Sequence, residues 1–101
     1  MINRNPTYPG KFVQEDILKE LGLSQGQLAQ ALKVSRKTIN ELVNQKRGLS
    51  PDIALRIGKF TNTNPQTWMN LQTSWDLWVA SNSKGAKSIE KFQRRKPKVK
   101  D

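Results

Sequence analysis

The chain has 101 residues, with 18 Lys and Arg against 8 Asp and Glu, a net charge of +10, and neither His nor Cys. That length holds one small domain and a tail, and the missing side chains exclude disulfides, zinc fingers, thiol nucleophiles, imidazole bases and the Ser-His-Asp triad. So much positive charge points to a polyanionic partner, nucleic acid above all.

Taken in chain order, stop and start signals divide the sequence into helices. Pro9-Gly10 precedes Phe12, Val13, Ile17, Leu18 and Leu21, which share one face at a 3.6-residue period and predict the first helix. Gly22 stands just past it, where a helix end favours positive φ. Ser24 is the N-cap of a second helix over 25–33, with Leu28, Ala29 and Leu32 inward. Ser35 caps a third, from Arg36 to about Gln45, with Ile39, Leu42 and Val43 inward and Gly48 as the turn beyond. Ser50-Pro51-Asp52 gives a cap, a first-position proline and a first-turn acid before a fourth helix facing inward with Ile53, Ala54, Ile57 and Phe60. Asn64-Pro65 repeats the signal for a fifth helix, which carries Trp68, Leu71, Trp75, Leu77, Trp78 and Val79 and ends near Ser81. No alternating β pattern appears, so the expected fold is all-α.

Charge separates two regions. Residues 1–83, the expected folded domain, carry +4; residues 84–101 hold eight basic side chains against Glu90 and Asp101, a balance of +6. Only Ile89, Phe92 and Val99 are large and apolar there, too little to offset chain entropy, so the tail is expected to be largely disordered. It is either a phosphate-attracting arm or a solvated end. No apolar run approaches the roughly 20 residues that span a bilayer. Met1 to Gly10 lacks the apolar stretch of a signal peptide, so the expected location is the cytoplasm.

The segment Gln25 to Asn44, QGQLAQALKVSRKTINELVN, has the parts of a DNA-reading helix-turn-helix. Ala29 is small where two helices would cross, and Leu28, Leu32, Val34, Ile39 and Leu42 form an apolar seam. The turn is Lys33-Val34-Ser35, with Lys33 at a position where positive φ makes glycine common. With the seam inward, the third helix exposes Arg36, Lys37, Asn40, Glu41 and Asn44. Arg36 and Lys37 lie in the first turn, where a recognition helix meets base edges, and both reach guanine O6 and N7. Asn40 suits adenine, and Thr38 a base or a phosphate. Gln25, Ser35, Asn44, Lys46 and Arg47 suit phosphates. Glu41 is expected to pair with Lys37 one turn earlier. One recognition helix reads few base pairs, so a homodimer on double-stranded DNA is expected. The fifth helix is apolar on more than one face; Trp68 and Leu71 suit the core, and Trp75 and Trp78 the dimer interface.

Three blocks resemble the HigA antitoxins, helix-turn-helix proteins of the Cro/C1-repressor class. They are Arg4-Asn5-Pro6-Thr7-Tyr8-Pro9-Gly10, with Tyr8 where the family usually has His and Lys11 where Glu often follows; Leu21-Gly22-Leu23-Ser24-Gln25 through Val43-Asn44-Gln45-Lys46-Arg47-Gly48; and Asn64-Pro65-Gln66-Thr67-Trp68-Met69-Asn70-Leu71-Gln72 with Trp75-Asp76-Leu77. The resemblance implies a five-helix lambda-repressor-like domain that dimerises, binds a palindromic operator and represses its own operon. It also implies a partner, a small basic RelE-like toxin that cleaves mRNA and is neutralised by the antitoxin. No cofactor or metal is expected. A stand-alone repressor without a toxin shares the same DNA chemistry. A nuclease is disfavoured by the absent His and by scattered carboxylates such as Glu15, Asp16 and Glu20. RNA binding is disfavoured by aromatics not placed to stack on bases.

Overall fold

The computed structural model describes residues 5–93. The first helix, α1, opens as α-helix over Pro9–Phe12 and runs on as π-helix over Val13–Lys19. It is followed by α2 at Gln25–Leu32, α3 at Arg36–Val43, α4 at Pro51–Thr61, α5 at Pro65–Ser81 and the single turn α6 at Lys84–Lys87.

Side-chain caps set most of the starts. Ser24 and Gln27 form a reciprocal capping box, Ser24 Oγ accepting from the Gln27 N–H at 3.0 Å and Gln27 Oε1 from the Ser24 N–H at 2.9 Å. Ser50 Oγ accepts from the Ile53 N–H at 3.2 Å, and Asn64 Oδ1 from the Gln66 N–H at 2.9 Å, each just before a proline in the first turn. Gly22 closes α1 at φ +68°.

The core joins Val13, Ile17 and Leu18 of α1 to Leu28, Ala29, Leu32, Ile39, Leu42, Leu49, Ile53, Ala54, Ile57 and Trp68. α1 crosses α3 so closely that a Cβ on the buried Gly10 would strike the Leu42 carbonyl. Trp68 is buried with its indole N–H donated to Thr63 Oγ1 at 2.8 Å.

Three expectations need correction here. Leu21 is 50% exposed rather than inward, because a π-turn takes in more residues than an α-turn and carries the apolar face past it; Leu23 packs on the core instead. Phe60 is 42% exposed, since α4 already fills its inner face with Ile53, Ala54 and Ile57. The segment expected to be disordered begins with a helical turn, α6, because Ser83 Oγ caps it by accepting from the Ala86 N–H at 3.1 Å. Residues 94–101, which carry five of the tail's basic side chains, lie outside the described residues.

Candidate nucleic-acid interface

α2 and α3 meet through Leu28, Ala29, Leu32, Ile39 and Leu42, all buried. Between them the chain turns at Lys33, whose φ of 59° and ψ of 45° are left-handed. The Val34 N–H returns to the Ala29 carbonyl at 3.0 Å and the Lys33 N–H to Gln30 at 3.2 Å, a Schellman closure built without glycine. A side chain in this region costs about 1–2 kcal/mol relative to a right-handed residue.

Ser35 starts α3: its Oγ accepts from the Thr38 N–H at 3.1 Å and lies 2.9 Å from Thr38 Oγ1. The cap engages both hydroxyls expected at DNA. Arg36, Lys37, Asn40 and Asn44 are exposed on the outer face, and Thr38 is half-buried. Gln25, in the first turn of α2, accepts at Oε1 from Asn40 Nδ2 at 3.2 Å. This bond leaves Asn40 one N–H and its Oδ1, the donor and acceptor that adenine N7 and N6 require. Asn44 Nδ2 donates to the Asn40 carbonyl at 2.8 Å.

The turn after α3 falls at Gln45, with a positive φ of 62°, three residues before the Gly48 expected to make it, and exposes Lys46 and Arg47. Gly48 instead makes room for Gln72, whose amide would lie within 3.0 Å of a Cβ there. The expected Glu41–Lys37 pair is not formed. Glu41 Oε1 accepts from Arg47 Nη2 at 2.8 Å and Nε at 3.0 Å, because the turn at Gln45 folds Arg47 back over α3. The ion pairs among the described residues are Lys19–Glu15, Arg47–Glu41 and Arg56–Asp52, so Arg36 and Lys37 face solvent uncommitted.

The structure therefore brings Gln25, Arg36, Lys37 and Asn40 together with Lys46 and Arg47 along one helix pair and its following loop. Trp75 and Trp78 lie elsewhere. They are half-buried with ring centroids 5.2 Å apart, and Trp75 packs at 5.9 Å on Tyr8. The Tyr8 hydroxyl donates to the Val43 carbonyl at the end of α3. Burial pushes its pKa up, against a smaller downward pull from a backbone hydrogen bond at Gln45. A groove of about 270 Å³ runs beside them, lined by Tyr8, Lys46, Gln72, Trp75 and Asp76 among others.

Two positioning side chains were missed by sequence reasoning. Gln72 is buried, accepts at Oε1 from the Leu49 N–H at 2.7 Å and donates to Asp76 Oδ1 at 2.8 Å, pinning the loop after α3 to α5. Arg56 Nη1 donates to the carbonyls of Leu32 at 2.9 Å and Lys33 at 3.2 Å. Gln72 stood at the end of the third resembling block with no role, and nothing local marked Arg56, because both bonds span more than 20 residues.

Among the described residues no helix is long and apolar enough to cross a membrane, and no group of three or more acidic side chains could hold a metal.

A helix-turn-helix family model matches residues 15–68. The chain is 42% identical over 82 residues to virulence-associated protein I of Dichelobacter nodosus, covering 81% of this chain and 76% of that protein. It is 38% identical over 84 residues to a helix-turn-helix transcriptional regulator of Haemophilus influenzae, covering 83% and 78%. Among solved structures it is similar to the Pseudomonas aeruginosa antitoxin HigA with the higBA promoter, at 40% identity and a TM-score of 0.79, covering 84% of this chain and 96% of that one.

Proposed function

The chain belongs to the HigA-type family of helix-turn-helix proteins, and from that membership we propose that it is an antitoxin that binds operator DNA, represses its own operon and neutralises a small basic RelE-like mRNA-cleaving toxin. The observation that carries the DNA half is the outer face of α3. There Arg36 and Lys37 stand exposed in the first turn, Asn40 stands one turn on, and Gln25 braces its amide. Lys46, exposed in the next loop, extends the positive surface toward the phosphate backbone, while Arg47 beside it is paired with Glu41. The work is binding, with no catalytic step, and its place is the cytoplasm, where both operator and toxin are met.

A homodimer doubles the reading length when its two α3 helices enter half-sites about 34–36 Å apart. α5 supports such pairing. Its 17 residues include one charged side chain, Asp76, in a chain of +10, so two copies approach there with little repulsion. Leu77 and Val79 are about half exposed, and Trp75 and Trp78 lie half-buried beside them.

The toxin half rests on the family and is tested by co-expressing the chain with the product of the adjacent reading frame. Co-purification in a stable complex, with growth rescued, is the expected outcome. Sequence-specific DNA binding without a co-purifying partner would make the protein a stand-alone repressor.

A further inference from the structure

α2 ends with four backbone carbonyls that have no partner further along the helix. The Schellman closure serves two of them, Ala29 and Gln30. Arg56 Nη1 donates to a third, that of Leu32, at 2.9 Å, and also to the carbonyl of Lys33, just past the helix, at 3.2 Å. The donor comes from the middle of α4 and reaches into the helix-turn-helix from outside it. Its own orientation is fixed one turn earlier: Arg56 Nε donates to Asp52 Oδ2 at 3.0 Å. A planar guanidinium suits this task, because its fixed fork lets one edge meet the carboxylate while another meets the carbonyls.

The residue so held is Lys33, which keeps a left-handed conformation that its side chain disfavours. Three residues later α3 begins at Arg36, so a change of ψ at Lys33 swings the whole recognition helix relative to α2. We propose that Arg56 is a positioning residue for DNA reading: it clamps the turn from α4 and sets the angle at which Arg36, Lys37 and Asn40 meet the bases. This rests on the DNA-binding reading above. It gives Arg56, a cation in a basic protein, a role other than contact with phosphate.

The roles separate by measurement. A preferred duplex is first selected from a random pool with the wild-type chain. Binding of that duplex, and of an unrelated duplex of equal length, is then titrated over a range of salt for the wild type, Arg56→Gln and Arg56→Lys, with melting followed by circular dichroism. A loosened turn should cost Arg56→Gln about tenfold in affinity for the preferred duplex, with little change on the unrelated one and the same salt slope. Arg56→Lys, which keeps a donor near the carbonyls, should recover most of the loss. Equal losses on both duplexes with a salt slope lower by about 1 would make Arg56 a phosphate contact and overturn the proposal. A lower melting temperature with unchanged discrimination in the folded variants would reduce it to a stability role and also overturn it. If Arg56→Gln does not fold, the same titrations on Asp52→Asn, which frees the guanidinium from its carboxylate, decide: weaker discrimination between the two duplexes supports the clamp, and discrimination equal to wild type overturns it. If the wild type selects no preferred duplex, the DNA-binding reading itself fails, and the clamp with it.

Discussion

Lys33 is the residue where local preference and tertiary structure disagree most openly. A left-handed position was legible as one that suits glycine, and the structure keeps Lys33 there, with Arg56 on its carbonyl. Lys33→Gly removes the Cβ penalty while leaving both carbonyls in place, so urea unfolding should show a gain of about 1 kcal/mol; an unchanged or lower stability would contradict this reading. Tyr8 makes the opposite case, a side chain whose role no spacing announced. Its hydroxyl bonds to Val43 and its ring packs on Trp75, tying the segment before α1 to the end of α3. Since burial raises its pKa above the usual 10.0, its contribution is complete below pH 10 and fades as the pH climbs through that value toward the folded pKa. Tyr8→Phe should cost about 1 kcal/mol near neutral pH, and its deficit relative to wild type should shrink on the alkaline side. A deficit that grew above pH 10 would count against the assignment.

Among the elements, the helix starts were the most readable part of the sequence. A cap such as Ser24, Ser35, Ser50 or Asn64 is a local event, decided by a side chain and a backbone N–H a few residues on. The faces were less readable wherever the helix departs from the 3.6-residue period. The π-helix at Val13–Lys19 turned Leu21 outward, and the turn after α3 falls at Gln45 rather than at Gly48. The exposed face of α3, the candidate site, was legible because Ile39 and Leu42 fix what is left outside. Its supports, Arg56 and Gln72, were not, because each bonds across 23 or 24 residues. α5 is the element with unspent apolar surface. If two copies pair there, Trp75→Ala with Trp78→Ala should shift the sedimentation of the chain toward the monomer and weaken operator binding together with it. A double variant that stayed dimeric at low micromolar concentration would move the interface elsewhere.

For the molecule as a whole, the net charge of +10 points to polyanions but not to the proposed reading face, because +6 of it lies after residue 83. General attraction and base reading are therefore separable. A chain ending at Ser83 should bind every duplex more weakly and with a shallower dependence on salt, while ranking sequences in the same order. Identical salt slopes for the long and short chains would remove the tail from the interface. The central claim is that α3 reads bases through its first turn. It is tested most directly by titrating wild type and Arg36→Ala against the preferred duplex and its single-base-pair variants. A loss of about 1–3 kcal/mol on the preferred duplex, with discrimination erased at one base pair and kept at the others, is the predicted result. Unchanged affinity and unchanged discrimination at every position would contradict the account.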